Sequence, residues 1–345
     1  MAQNARAGCQ ESIILGKRKV GVEQPLSKRF FGMSLQKSAI LFGLALCALW
    51  TTAYAHAVVG MRVFPGTLTF ADPGVTDEFD IGWGRAALSG TPGGPAPYAS
   101  TTSLAESKTI TRNLALTIGD AYQAVSGPEA VAGFGNVAIG VDYGLWKSDS
   151  EETLITGALN ESLNHTGSGQ VATPYSIFSP TLRCGRGRGD LPSRFRMLRP
   201  LAVTGMIAAN IPSIAAVPRS LSWGLSVQYS VPYLQTYVRD IGLHAPFNNV
   251  VPLIECAMQT YTSGPFAGHT LGTINPGFVW LGRYGQVGLE ATLPANRASG
   301  IMSAYVLTDN PMVLLNQDGG MGCTGASIDF LARLHIFQRL CDLVD

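Results

Sequence analysis

The chain has 345 residues, of which only 14% are charged and 40 are glycine. Ordinary soluble domains carry ~25% charged residues, so this composition is unusual for a soluble enzyme and suits a barrel whose outer face lies in lipid. Seven of the 24 Lys/Arg and two of the 23 Asp/Glu fall within residues 1–57, which leaves the remainder acidic by four charges. Phosphate binding needs a surplus of basic groups, and nucleic acid is excluded as a partner on that ground.

In chain order, residues 1–32 are polar and basic, with Lys17, Arg18, Lys19, Lys28 and Arg29, and show no apolar periodicity. Met33 opens a leader of ordinary length, so residues 1–32 read as an extension from a start codon placed too early. Lys37 is followed by an apolar run from Ala39 to Trp50 and then by Ala53-Tyr54-Ala55-His56-Ala57. Basic, apolar and small-x-small zones in that order make a secretory signal. A helix that spans the membrane needs ~20 apolar residues, more than this run offers. The expected division is therefore an extension over 1–32, a signal peptide over 33–57 cleaved after Ala55 or Ala57, and a barrel domain over 58–345.

Beyond the leader the dominant signal is period two. Phe79, Ile81 and Trp83 alternate with Asp80 and Gly82; Ile110, Leu114, Leu116 and Ile118 alternate with Thr109, Thr111, Asn113 and Thr117. Val137, Ile139, Val141, Tyr143 and Leu145 alternate with Asn136, Ala138, Gly140, Asp142 and Gly144. Further along, Trp223, Leu225, Val227, Tyr229 and Val231 alternate with small and polar residues, as do Val287, Leu289, Ala291 and Leu293. Successive side chains of a strand point to opposite faces, so each segment has one apolar and one polar, lightly charged face. A soluble sandwich charges its outer face. A barrel in lipid inverts the pattern, with aliphatics outside and a polar lumen. Further strands are expected near 61–70, 153–163, 175–183, 195–210, 250–261, 270–281, 302–308 and 328–337. Trp146, Tyr233, Tyr237 and Tyr284 fall near strand ends, where an interfacial girdle belongs. The fold class is all-β: an antiparallel up-and-down transmembrane β-barrel of about 12 strands. Leu201–Val217 competes as a transmembrane helix, but Pro212 interrupts it, and Leu201, Val203, Ile207 and Ile211 share one face of a strand.

Three features bear on chemistry. Arg183, Arg186, Arg188, Arg194, Arg196 and Arg199 surround the single acid Asp190, and guanidinium forks bind phosphate and carboxylate. They are the candidate anion contacts, in the lumen or at the rim. His165, His244, His269 and His335 have neither metal spacing nor a glycine-framed serine, so no catalytic residue, metal site or cofactor is assigned, and an enzyme is not expected. Cys184, Cys256, Cys323 and Cys341 match no metal motif and read as scattered thiols.

Between Trp223-Gly224 and Asn296-Arg297-Ala298-Ser299-Gly300 runs a series of distinctive segments. They include Tyr229-Ser230-Val231-Pro232-Tyr233-Leu234-Gln235, Val238-Arg239-Asp240-Ile241-Gly242-Leu243, Pro252-Leu253-Ile254-Glu255, Gly272-Thr273-Ile274-Asn275-Pro276-Gly277 and Gln286-Val287-Gly288-Leu289-Glu290-Ala291. This series resembles a group of uncharacterised proteobacterial outer-membrane β-barrel proteins, loosely similar to transporters of the MetA-pathway of phenol degradation. The resemblance covers residues 55–337 and is specific over 222–300. It implies a barrel in the bacterial outer membrane that passes small, partly apolar molecules, and no catalytic residues come with it. Leu331–Phe337 resembles the group's last strand, whereas Gln338–Asp345 diverges and the patch Met312–Ile328 is irregular, which puts barrel closure in question.

The expected function is that of an outer-membrane channel or transporter. Its expected partners are membrane lipid and lipopolysaccharide, the barrel-assembly machinery and a small solute. The alternatives are a periplasmic β-sandwich that binds a ligand, and a lipid-modifying enzyme built into a barrel wall.

Overall fold

The computed structural model describes residues 56–311 except 68, 70, 88–97, 128–129, 283–284, 297–298 and 300–303, and of 87 and 304–311 the backbone alone. The signal peptide, the extension before it, Tyr284, His335, Cys323, Cys341, the irregular patch from Met312 and the strand expected at 328–337 lie outside the described residues.

A hairpin comes first, β1 (Ala57–Val59) and β2 (Arg62–Phe64), paired only with each other. The wall follows: β3 (Glu78–Ala87), β4 (Tyr98–Thr111), β5 (Leu114–Val125), the short β6 (Val131–Phe134), β7 (Ala138–Ser148), β8 (Thr153–Ser162), β9 (Ile177–Gly187) and β10 (Leu201–Pro212). It continues through β11 (Ser220–Tyr229), β12 (Val250–Tyr261), β13 (Thr270–Leu281), β14 (Gly285–Pro294) and β15 (Ala304–Pro311). All pairings are antiparallel between neighbours in the chain, except where β6 folds back onto the end of β5 and β7 takes the rest of that strand. β15 then pairs with β3, Ala304 opposite Ala86 and Asp309 opposite Ile81. With β4 on β5 as well, twelve of the thirteen strands in the sheet form a closed ring, and β6 is the branch. Within the ring, closure leaves no strand without a neighbour on both sides, the condition for a sheet to sit in hydrocarbon.

The side chains sort across this wall as the alternation predicts. Ser226 is wholly buried, while its neighbours Leu225 and Val227 stand 47% and 42% exposed on the outside. The same inversion places Ile139, Val141 and Tyr143 outward around buried Asp142, and Trp223 outward beside Ser222. Gln286, Glu290 and Thr292 of β14 point in. An outward apolar surface around an inward polar one is stable only if the outside is not water. The twelve ring strands, 8 to 14 residues long, bracket the ~9–11 a tilted transmembrane strand needs. No helix among the described residues is long and apolar enough to cross a membrane.

Several expectations are corrected. One ring rather than two stacked sheets removes the β-sandwich alternative. Ring closure does not depend on the tail, because β15 completes it. The segment 109–118 is not one strand but the end of β4, a turn at Arg112-Asn113 and the start of β5. Among the described residues of 61–70 the strand is β2, which is not part of the wall. Residues 195–210 divide into a short 3-10 helix at Ser193–Leu198 and the start of β10. Val203, Ile207 and Ile211 do share a face of that strand, so the helix alternative for 201–217 fails. Trp146 is exposed near a strand end as a girdle residue should be, but Tyr233 is buried.

Replacing Leu225, near the middle of β11, with arginine will put a guanidinium in the hydrocarbon. At mid-bilayer that costs ~2–4 kcal/mol. Denaturant titration of the protein folded into lipid vesicles should show a loss of that size for Leu225→Arg.

Candidate functional site

The described residues of the stretch 56–77 lie inside the barrel. The proof is in their partners, which face inward from opposite walls. Ser107 Oγ of β4 donates to the Thr76 carbonyl, and Thr156 Oγ1 of β8 donates to the Pro73 carbonyl at 2.7 Å. Arg183 Nη1 of β9 donates to the Asp72 carbonyl, Thr69 donates to Glu255 of β12, and Gln286 Nε2 of β14 donates to the Gly66 carbonyl. Only a segment within the ring reaches all five strands. The β1–β2 hairpin turns tightly at Gly60 with φ +60°, a conformation that favours glycine, and a Cβ there would meet the Asp149 carbonyl oxygen at 2.5 Å. Behind the turn, Ala57, Val59 and Phe64 form a small apolar core with Leu154 and Ala202 of the inner wall.

A charged lock holds the hairpin. Arg62, 1% exposed, donates from Nε to Glu152 Oε2 at 2.9 Å and from Nη1 to the Pro200 carbonyl at 2.9 Å, while Nη2 reaches the Arg199 carbonyl. Its guanidinium also lies over the Tyr233 ring, 4.2 Å from the centroid. Glu152 accepts further hydrogen bonds from Tyr233 Oη at 3.0 Å and the Gly189 amide at 3.1 Å. Burial and the carboxylate of Glu152 raise the Tyr233 phenol above its usual value. The wall makes room for this lock by omitting side chains: a Cβ on Gly187 would sit 2.5 Å from Arg62 Nε.

Deeper in, the polar row Ser226, Glu255, Asn275 and Glu290 crosses β11 to β14, all four residues at most 1% exposed. Thr69 donates to Glu255 from its amide and its hydroxyl, whereas Glu290 is hydrogen-bonded only to the Glu255 carboxyl. On the other side Arg183 pairs with Asp142 of β7 at 2.6 Å. Next to this pair, His56, Asp72 and Glu78 converge, their donor atoms all within 4.8 Å of one another. Burial, and then the Glu78 carboxylate, push Asp72 up to about 8, and burial pulls His56 down. A hollow of about 1080 Å³ opens beside His56 toward the rim, lined by the hairpin, the Arg112-Asn113 turn and the end of β7.

The six arginines of the sequence reading are not brought together. Of the six, Arg183 alone enters the lumen, where Nη2 pairs with Asp142, Nη1 donates to the Asp72 carbonyl and the buried Nε has no partner. Arg186 spans Glu151 and Asp190 at the rim, and Arg199 donates to the Leu191 carbonyl. Arg188, Arg194 and Arg196 are exposed in the β9–β10 connection, Arg194 over the Phe195 ring. His165, His244 and His269 are exposed in loops. Cys184 and Cys256 are free. The sequence reading missed the inserted segment altogether. Its one visible trace is the acid run Asp72, Asp77, Glu78 and Asp80, too many carboxylates for one strand entry unless something within the barrel meets them.

No family model matches the chain, and no curated protein matches it. Among solved structures, it is similar to an outer membrane channel from Pseudomonas putida F1, with 10% identity and TM-score 0.46 over 72% of this chain and 99% of that one. It is also similar to the beta domain of the Bordetella autotransporter BrkA, at 11% identity and TM-score 0.38 over 68% of this chain and 98% of that one. A third likeness is to LpxR from Salmonella typhimurium, at 10% identity and TM-score 0.36 over 68% of this chain and 100% of that one.

Removing one partner of a buried ion pair costs about 3–5 kcal/mol, because the other charge is left uncompensated. Arg62→Ala is therefore expected to lower stability by about that amount, and the double variant Arg62→Ala with Glu152→Gln to recover part of it. Thermal unfolding of the four proteins of that cycle, together with protease cleavage within 56–77, provides the measurement.

Proposed function

We propose that the protein is a channel for small solutes in the bacterial outer membrane, held shut by its own residues 56–77. One observation carries the reading: a polar inner wall is filled by a single chain segment rather than by wall side chains. A barrel serving only as an anchor could fill its interior with side chains from the wall, as small barrels do. Here the inner face is polar and, at Gly185, Gly187, Ser226 and Thr204, small, and the space beside it is taken by a removable element. Most of that element's ties to the wall are hydrogen bonds and ion pairs, which water entering the lumen replaces at modest net cost.

The outer membrane is the compartment that suits such a wall, and a signal over 33–57 would deliver the chain toward it. Cleavage after Ala55 keeps β1 whole, whereas cleavage after Ala57 removes the residue whose amide donates to Asp72. Passage of partly apolar molecules rests on the resemblance of residues 222–300 described above. Lipid and lipopolysaccharide around the wall, and the assembly machinery that inserts it, are the partners this reading requires.

Conductance in planar bilayers tests it. The intact protein should stay mostly closed, and a variant lacking residues 57–75 should show stable open channels. A deleted variant that still folds, as judged by heat-modifiable migration on a denaturing gel, yet passes no ions would overturn the proposal. Release of the native protein by osmotic shock would overturn the membrane assignment.

A further inference from the structure

Three carboxylates, Asp72, Glu78 and Asp80, face one imidazole, His56, in the near-dry space between the inserted segment and β3. Asp72 is 2% exposed, and the side chains of Glu78 and His56 are 8% and 11% exposed. Each Asp72 oxygen already accepts a backbone amide, Oδ1 from Gly74 and Oδ2 from Ala57, which fixes the carboxylate in place without neutralising it. Arg183, the nearest guanidinium, is already paired with Asp142. Glu78 Oε1 and His56 Nδ1 point at each other across 3.9 Å, and neither has a hydrogen-bond partner. Glu78 is hydrogen-bonded to Thr76 and to Asp72, so two buried carboxyl groups lie side by side, where each disfavours charge on the other. A cation between them would let both ionise.

We propose that His56, Asp72 and Glu78 bind one divalent transition-metal ion of the zinc type, which fastens the start of the inserted segment to the first wall strand. Metal–ligand distances of about 2.0–2.2 Å put two ligands on one ion at most about 4.3 Å apart. The 3.9 Å between Nδ1 and Oε1 already lies within that span, and the widest separation in the trio, 4.8 Å, needs only a small closure. One imidazole with two carboxylates is a donor set for zinc and its neighbours in the first row rather than for calcium or magnesium, which prefer oxygen alone. The two amides on Asp72 are the outer contacts that orient a ligating carboxylate. The hollow beside His56 gives an ion and its waters a route to the site from the rim. Asp80, on the same inward face of β3, adds negative charge next to the ion. The inference takes the leader to end at Ala55, so that His56 stays in the mature chain, and it holds whether or not the barrel conducts.

The test is a titration of the detergent-purified protein, stripped with a chelator, with Zn²⁺ in competition with a chromogenic indicator. One ion per chain is expected, with affinity reduced at least tenfold in both His56→Ala and Glu78→Gln and unchanged in His244→Ala, whose histidine is exposed elsewhere. Zn²⁺ should also slow proteolysis within 56–77 in the wild type and leave those two variants unaffected. Heat-modifiable migration will establish that each variant is folded. Equal binding by wild type and His56→Ala, no binding at all, or tighter binding of Ca²⁺ than of Zn²⁺ would each overturn the proposal. Loss of binding alongside an unchanged closed conductance would separate this inference from the channel reading.

Discussion

Every backbone amide and carbonyl of the wall must find its partner within the wall, because hydrocarbon offers none. From this constraint the rest follows. It forces β15 to return to β3, it assigns the apolar half of each alternating pattern to the outside, and it sends the polar half into the lumen. The polar groups then need partners of their own. At this ring size the wall side chains do not reach across, and the inserted segment supplies the missing donors and acceptors through Thr69, Asp72, Pro73, Thr76 and Arg62.

The wall was legible in the sequence wherever a strand alternates strongly, and the bounds expected for 250–261 and 270–281 coincide with β12 and β13. It failed where the cause is geometric. A two-residue turn is one full period of a strand, so the alternation runs straight through Arg112-Asn113 and two strands read as one. β4 was invisible over its first residues because Ser, Thr and Ala dominate and Leu104 is its only large aliphatic residue there. Residues 61–64 alternate like wall strands because a hairpin within the lumen obeys the same pleat, and only the distant partners Glu152 and Pro200 identify its place.

The functional residues were less legible, for a related reason. Six arginines close in sequence look like one patch, yet a strand puts alternate residues on opposite faces, so Arg183 enters the lumen while Arg186 stays at the rim. Conversely His56, Asp72 and Glu78 are separated by 16 and 6 positions and have no motif spacing. They meet because the hairpin folds back and the chain then leads into β3. Tyr233 read as a girdle aromatic from its position near a strand end, and the Arg62 guanidinium draws it inside instead.

The inserted segment runs directly into β3, and β3 is also the strand on which the ring closes. Stopper and seam are thus consecutive in the chain. A wall that grows by adding strands after β3 closes last at the β15–β3 seam, so the segment has to be in position before that final pairing or thread through a finished ring afterwards. The order of strands therefore carries timing as well as shape: the part of the chain that fills the lumen precedes the part that encloses it.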